Sequence, residues 1–117
     1  MSARSVVSFL TLLLALTLLP PAAFGQTGAA SLTGIVSDQS GAKVPGATVT
    51  ATNQATNVAY TAVSNEAGNY SITSVPVGRY VLKAELAGFK TATTEPIQAE
   101  AKAIVRFDFT LQLGALY

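Results

Sequence analysis

The sequence predicts an all-β domain, a sandwich or a barrel of seven short strands, behind an N-terminal export signal. Three observations carry this. Beyond the first thirty residues, apolar side chains alternate with Thr, Ser and charged ones, the period of a strand with one wet face. Turn residues interrupt the alternation about every 8–12 residues. No run of useful length repeats apolar residues at helical spacing.

The signal comes first. Arg4 supplies a positive start, Val6 to Leu19 is apolar apart from Ser8, Thr11 and Thr17, and Pro20-Pro21 breaks the run. Ala23-Phe24-Gly25 then offers the small residues of a cleavage site before Gln26. The run is shorter than the about 20 apolar residues of a comfortable membrane span, which leaves an uncleaved membrane anchor as the alternative to a cleaved signal. No Cys follows it, so a lipoprotein anchor is excluded. We therefore expect a signal peptide over 1–25, a short lead over 26–30, the domain over 31–113 and a tail over 114–117.

The strands follow in order. Leu32, Gly34 and Val36 share a face in a strand over 31–38. Asp38-Gln39-Ser40-Gly41 and Pro45-Gly46 punctuate the next connection. Ala47, Val49 and Ala51 alternate with Thr48, Thr50 and Thr52 in a strand over 46–53. The polar stretch Asn53–Asn57 separates it from a third strand over 57–64, and Asn65-Glu66-Ala67-Gly68 turns into a fourth over 69–75, where Tyr70 and Ile72 share a face. Pro76-Val77-Gly78 leads into a fifth over 79–87, with Tyr80, Leu82, Ala84 and Leu86 aligned. A sixth over 89–98 contains Pro96, which cannot donate to a ladder and places that strand at an edge or breaks it. The seventh, 101–113, reads most clearly. Ala103, Val105, Phe107, Phe109, Leu111 and Leu113 face inward, while Lys102, Arg106, Asp108, Thr110 and Gln112 face water, with Ile104 the apolar exception.

Composition excludes several functions. The chain has no Cys, so it has no disulfide framework and no thiol chemistry, and no His, the commonest general base and metal ligand. Its seven basic residues include Arg4, whose removal leaves six against six acidic ones. A neutral mature chain gives no electrostatic footprint for nucleic acid.

The punctuation resembles a known family. The segments are Gly34-Ile35-Val36-Ser37-Asp38 through Pro45-Gly46-Ala47-Thr48-Val49, then Asn65-Glu66-Ala67-Gly68-Asn69-Tyr70, Val75-Pro76-Val77-Gly78-Arg79-Tyr80 and Ala87-Gly88-Phe89. In this order they are similar to the carboxypeptidase regulatory-like domain, over about residues 30–113. The resemblance implies a seven-stranded Greek-key β-sandwich of the transthyretin (prealbumin) type. It also implies a setting, because such domains form N-terminal periplasmic extensions of outer-membrane receptors similar to TonB-dependent transporters. The expectation is an exported, non-catalytic structural or protein-interaction module. It would be periplasmic, outer-membrane-associated or extracellular, either free-standing or part of a truncated or split receptor gene. Its partner would be another envelope protein or a downstream receptor segment, with no stable membrane span after signal cleavage. The fold is also similar to starch-binding-type modules, which makes carbohydrate the alternative ligand, although the chain has no Trp for sugar stacking.

No catalytic, cofactor-binding or metal-binding residue is expected. Asp38 with Asn65 or Glu66 is the nearest approach to a cation site, and Asp38 reads first as a turn residue bonding backbone N–H groups. Glu95 and Glu100 flank Pro96 as solvated carboxylates rather than an acid–base pair. Ser and Thr lack a histidine base and an elbow motif, and no element positions a Ser–Lys dyad. Tyr60 is the aromatic least clearly assigned to the core, hence the candidate ligand platform. The uncharged run Thr91–Thr94, between Lys90 and Glu95, is the expected edge for strand addition.

Overall fold

The computed structural model describes residues 28–114. The expected signal peptide lies outside these residues, as do most of the tail and the start of the lead. Nine strand segments occur: β1 (Ala30–Asp38), β2 (Thr48–Asn53), β3 (Ala59–Val63), β4 (Asn69–Val75), β5 (Gly78–Glu85), β6 (Ala92–Thr93), β7 (Ile97–Ala99), β8 (Ile104–Arg106) and β9 (Phe109–Leu111). They form two sheets packed as a sandwich. In one, β1 pairs antiparallel with β4 and parallel with both β8 and β9. In the other, β2 pairs antiparallel with β3 and β5, and β5 pairs with both β6 and β7.

The first five segments match the expected strands to within two residues. The last two expected strands are each broken. The run over 89–98 splits into β6 and β7 because Pro96 has no N–H for the ladder. On β5, Lys83 lies opposite Thr93 and Tyr80 opposite Ile97, so one extra residue bulges out between the pairs at Glu95–Pro96. The run over 101–113 splits into β8 and β9. Counting each broken pair as one interrupted strand restores the seven.

The second break is built from three neighbours. Gly34 of β1 lies opposite Tyr70 of β4. A Cβ at Gly34 would stand 1.8 Å from the Phe107 carbonyl oxygen and 2.8 Å from Tyr70 Cε1. Only glycine leaves room for both. The Tyr70 hydroxyl crosses this gap to donate to the Phe107 carbonyl. The Asp108 carboxylate then accepts from the Ile35 N–H at 2.9 Å, where a strand carbonyl would otherwise sit. Asp108 therefore serves the ladder, in addition to facing water as expected. The Phe107 N–H still reaches the Thr33 carbonyl at 2.8 Å, so β8 and β9 keep one register against β1.

The core lies between the sheets. Leu32 and Val36 of β1, Val49 of β2, Tyr80 and Leu82 of β5, and Leu111 of β9 are fully or almost fully buried. Tyr70, Phe107 and Phe109 pack as an aromatic group, with Phe107 and Phe109 ring centroids 4.9 Å apart in an edge-to-face arrangement. Of the expected inward face of the last run, Phe109 and Leu111 are buried and Ala103, Val105 and Phe107 are half-buried. Leu113 corrects the expectation, being 70% exposed. After Leu111 the chain leaves its sheet to bond the loop between β5 and β6, with Lys90 N–H donating to the Gln112 carbonyl and Gly114 N–H to the Gly88 carbonyl. Alternation therefore no longer governs that side chain.

Two tests follow from this packing. Phe109→Ala should destabilise the domain by about 3–5 kcal/mol, whereas Arg106→Ala, on the exposed side, should cost less than about 0.5 kcal/mol. Equal losses in a denaturation series would contradict the assigned faces. The second test concerns Tyr70, whose hydroxyl is pushed well above the ordinary tyrosine range by burial, then by the nearby Asp108 charge, with Arg106 opposing. The unfolded chain releases this proton near about pH 10, while the folded chain retains it. The folded state then binds the extra proton, so its contribution is complete below about pH 10 and is lost as pH rises further. The thermal midpoint should fall with rising pH in this alkaline window, and Tyr70→Phe should flatten the fall. An unchanged slope in the variant would assign the dependence to another group.

Candidate functional site

The polar residues singled out by sequence are mostly consumed in shaping loops. Asp38 ends β1 and closes the turn after it. Its Oδ1 accepts from Ser40 Oγ at 2.6 Å, the Ser40 N–H at 2.8 Å and the Ala42 N–H at 3.1 Å. These bonds, the Ser40 hydroxyl foremost, hold the exposed carboxyl below the usual carboxylate range. Asn65 does the same for the β3–β4 turn, where its Oδ1 accepts the N–H groups of Ala67 and Asn69, each at 3.0 Å. Glu66 is exposed at that turn. Among the described residues, no three acidic side chains gather closely enough to hold a metal ion.

Glu95 and Glu100 are both exposed and lie on either side of β7, the first in the Pro96 bulge. Tyr60 sits half-buried on β3 with its ring edge-to-face on Tyr80, centroids 6.2 Å apart. It is a rim aromatic packed against the core. None of the large apolar side chains exposed among the described residues is aromatic.

Sequence reasoning missed two buried polar residues. Ser64 is 4% exposed, donates to the Val44 carbonyl at 2.7 Å and accepts from the Ala47 N–H at 2.9 Å. It pins the Pro45-Gly46 turn to the end of β3, and its hydroxyl is fully occupied. Asn53, also 4% exposed, caps the β2–β3 turn by accepting from the Ala55 and Thr56 N–H groups. The legible signal was position, since each stands where a strand meets a turn, and Ser and Asn favour such bonds there.

The concave surface is slight. One depression, of about 410 Å³, is open to solvent and lies among Gly46, Thr48, Glu85, Leu86, Ala87 and Thr91. No set of titratable groups converges in it.

What remains is the sheet edges. Among the described residues each sheet ends in two, β4 and β8/β9 in one and β3 and β6/β7 in the other. The expected edge, 89–98, is indeed an edge. Its run Thr91–Thr94, however, contributes only the two-residue β6, and the preceding Lys90 N–H is already bonded to the Gln112 carbonyl. The interruption at Pro96 makes it a poor template for a partner strand. In contrast, β3 is continuous and pairs only with β2.

Comparisons with known proteins agree with this architecture. The sequence profile of the carboxypeptidase regulatory-like domain matches residues 31–112. No curated protein matches the chain by sequence. Among solved structures, the TIE protein of Bacillus anthracis superposes with a TM-score of 0.62 at 16% identity, over 74% of this chain and 17% of that one. A candidate carbohydrate-binding protein from Bacteroides uniformis does so with a TM-score of 0.58 at 20% identity, over 72% of this chain and 41% of that one. Catechol 1,2-dioxygenase from Acinetobacter sp. ADP1 gives 0.62 at 12% identity, over 82% and 56%. The chain thus spans well under two thirds of these neighbours, and at such identities the likeness is one of fold alone. With the strand order, the turns and the profile in agreement over nearly all the described residues, the chain belongs to the carboxypeptidase regulatory-like domain family.

Proposed function

We propose that the chain is a non-catalytic protein-interaction module of the cell envelope, set in line between the segments before and after it. One observation carries this reading most directly. The first strand and the last lie side by side and run parallel, so the chain enters at one pole of the sandwich and leaves at the other. A module of this kind joins neighbours without doubling back. The loop-bound state of Asp38, Asn65 and Ser64 supports a role without chemistry, as does the lack of any histidine or cysteine in the sequence. The likeness to a dioxygenase, at 12% identity, is one of fold alone and adds no chemistry.

Family membership and the export signal expected over residues 1–25 together favour the N-terminal periplasmic extension of an outer-membrane receptor similar to TonB-dependent transporters. The partner would then be another envelope protein or a downstream receptor segment. Among the described residues no helix is long and apolar enough to cross a membrane. A second reading, carbohydrate binding, is favoured by the Bacteroides neighbour and opposed by the absence of an exposed aromatic platform among the described residues.

Expressed with its leader in a Gram-negative host, the protein should be recovered from the periplasm or outer membrane with its N-terminus near Gln26, and immobilised glycans should retain none of it. Recovery of intact Met1 in the inner membrane would overturn the export assignment. Saturable glycan retention would favour the second reading.

A further inference from the structure

We propose that β3 is a self-association edge, to which a second copy of this chain adds antiparallel about a twofold axis at Thr61. The inference rests on the reading of the domain as an interaction module and names its partner.

The backbone of β3 is available. The Asn53 N–H donates to the Val58 carbonyl and the Ser64 N–H to the Ala47 carbonyl, each at 2.9 Å, with unbroken register between β2 and β3. By antiparallel alternation, Tyr60 and Ala62 then spend their backbone groups on β2, while Ala59, Thr61 and Val63 point theirs away from the sheet.

Natural edges are protected by charge, proline, bulges or brevity, and the other three edges here are protected. β4 ends in a register shift opposite Ala30–Leu32, with Ser74 at φ 60°. β6/β7 is split at Pro96, and β8/β9 is split at Phe107–Asp108 beside the charges of Arg106 and Asp108. Only β3 has no such device. The sequence holds no charged residue from Val44 through Asn65, and Val63 is 62% exposed and Val58 47%.

The same features select a second copy as the occupant. An axis at Thr61 sets Thr61 against its own copy and Ala59 against Val63 of the second copy. Every residue with an outward backbone then meets one of the same kind, and each pair exchanges both of its hydrogen bonds. The facing side chains are Thr with Thr, a favourable cross-strand pair, and small Ala with larger Val, which do not clash, and no like charges meet. The pairing closes on itself as a C2 dimer, the commonest oligomeric form. It would join the two β3-bearing sheets into one.

Sedimentation of the exported protein over a range of concentrations provides the test. We expect a reversible monomer–dimer equilibrium. Thr61→Lys and Thr61→Glu should each weaken it by about tenfold or more, since like charges then meet at the axis. Mixing the two variants should restore association, which misfolded proteins would not do. Thr61→Pro should also abolish it, because the outward N–H is not used within the fold. Thr93→Lys, on the opposite edge, should leave it unchanged. A strict monomer at high concentration, or a dimer indifferent to charge at Thr61, would overturn the proposal. A monomer that binds an extended peptide would overturn the second copy while leaving the interaction module in place. A monomer that binds glycan would overturn both readings.

Discussion

The hydrogen bond from the Tyr70 hydroxyl to the Phe107 carbonyl, passed over the bare backbone of Gly34, is the constraint on which the first sheet depends. It ties β4, β1 and the last run of the chain together at one level. β1 is the common neighbour of β4, β8 and β9, and its only glycine occupies the point where the last run must kink. The kink turns the Phe107 carbonyl toward Tyr70 and brings the Asp108 carboxylate to the Ile35 N–H. A buried backbone group left without a partner costs roughly 1–3 kcal/mol. The Tyr70 hydroxyl removes that cost at the part-buried Phe107 carbonyl, while the Asp108 carboxylate satisfies the more exposed Ile35 N–H. The aromatic group of Tyr70, Phe107 and Phe109 then forms around this point and fills that side of the core.

The same place shows why the sequence was legible up to a limit. Alternation assigned the faces of β1, β2 and β5 correctly because each is regular and half-buried, and those of β4 up to its irregularity at Ser74. It also read the last run as one long strand, since Ala103 through Leu113 keeps period two with Ile104 as the one exception. The break there is set by a long-range contact with Gly34, which no local pattern reveals. A local hint was present in Asp108, a residue type that strands disfavour. Pro96 was informative because its effect is local, removing one donor. Leu113 misled because the chain had already crossed toward Gly88, a tertiary event.

The candidate site followed the same division. Asp38 read as a turn residue from its neighbours, and its bonds to Ser40 and Ala42 are of that kind. For Ser64 only its place at the end of a strand was legible, because its two partners, Val44 and Ala47, lie across a different turn whose geometry the sequence does not specify. The fold spends nearly every distinctive polar group on its own loops.

The path of the backbone has a mechanical consequence. Because β1 and the interrupted strand β8/β9 run parallel as neighbours, tension between the two ends of the domain pulls them in opposite directions along their common axis. The load falls on their hydrogen bonds in shear, so that many must give way together rather than one after another. The Tyr70 bridge and the Asp108 bond cross the same seam and share the load. A hairpin arrangement of the terminal strands would instead unzip from one end. Extension under force is governed by the rate of unfolding rather than by equilibrium stability. A small domain of modest thermodynamic stability can thus behave as a stiff link in a tethered chain.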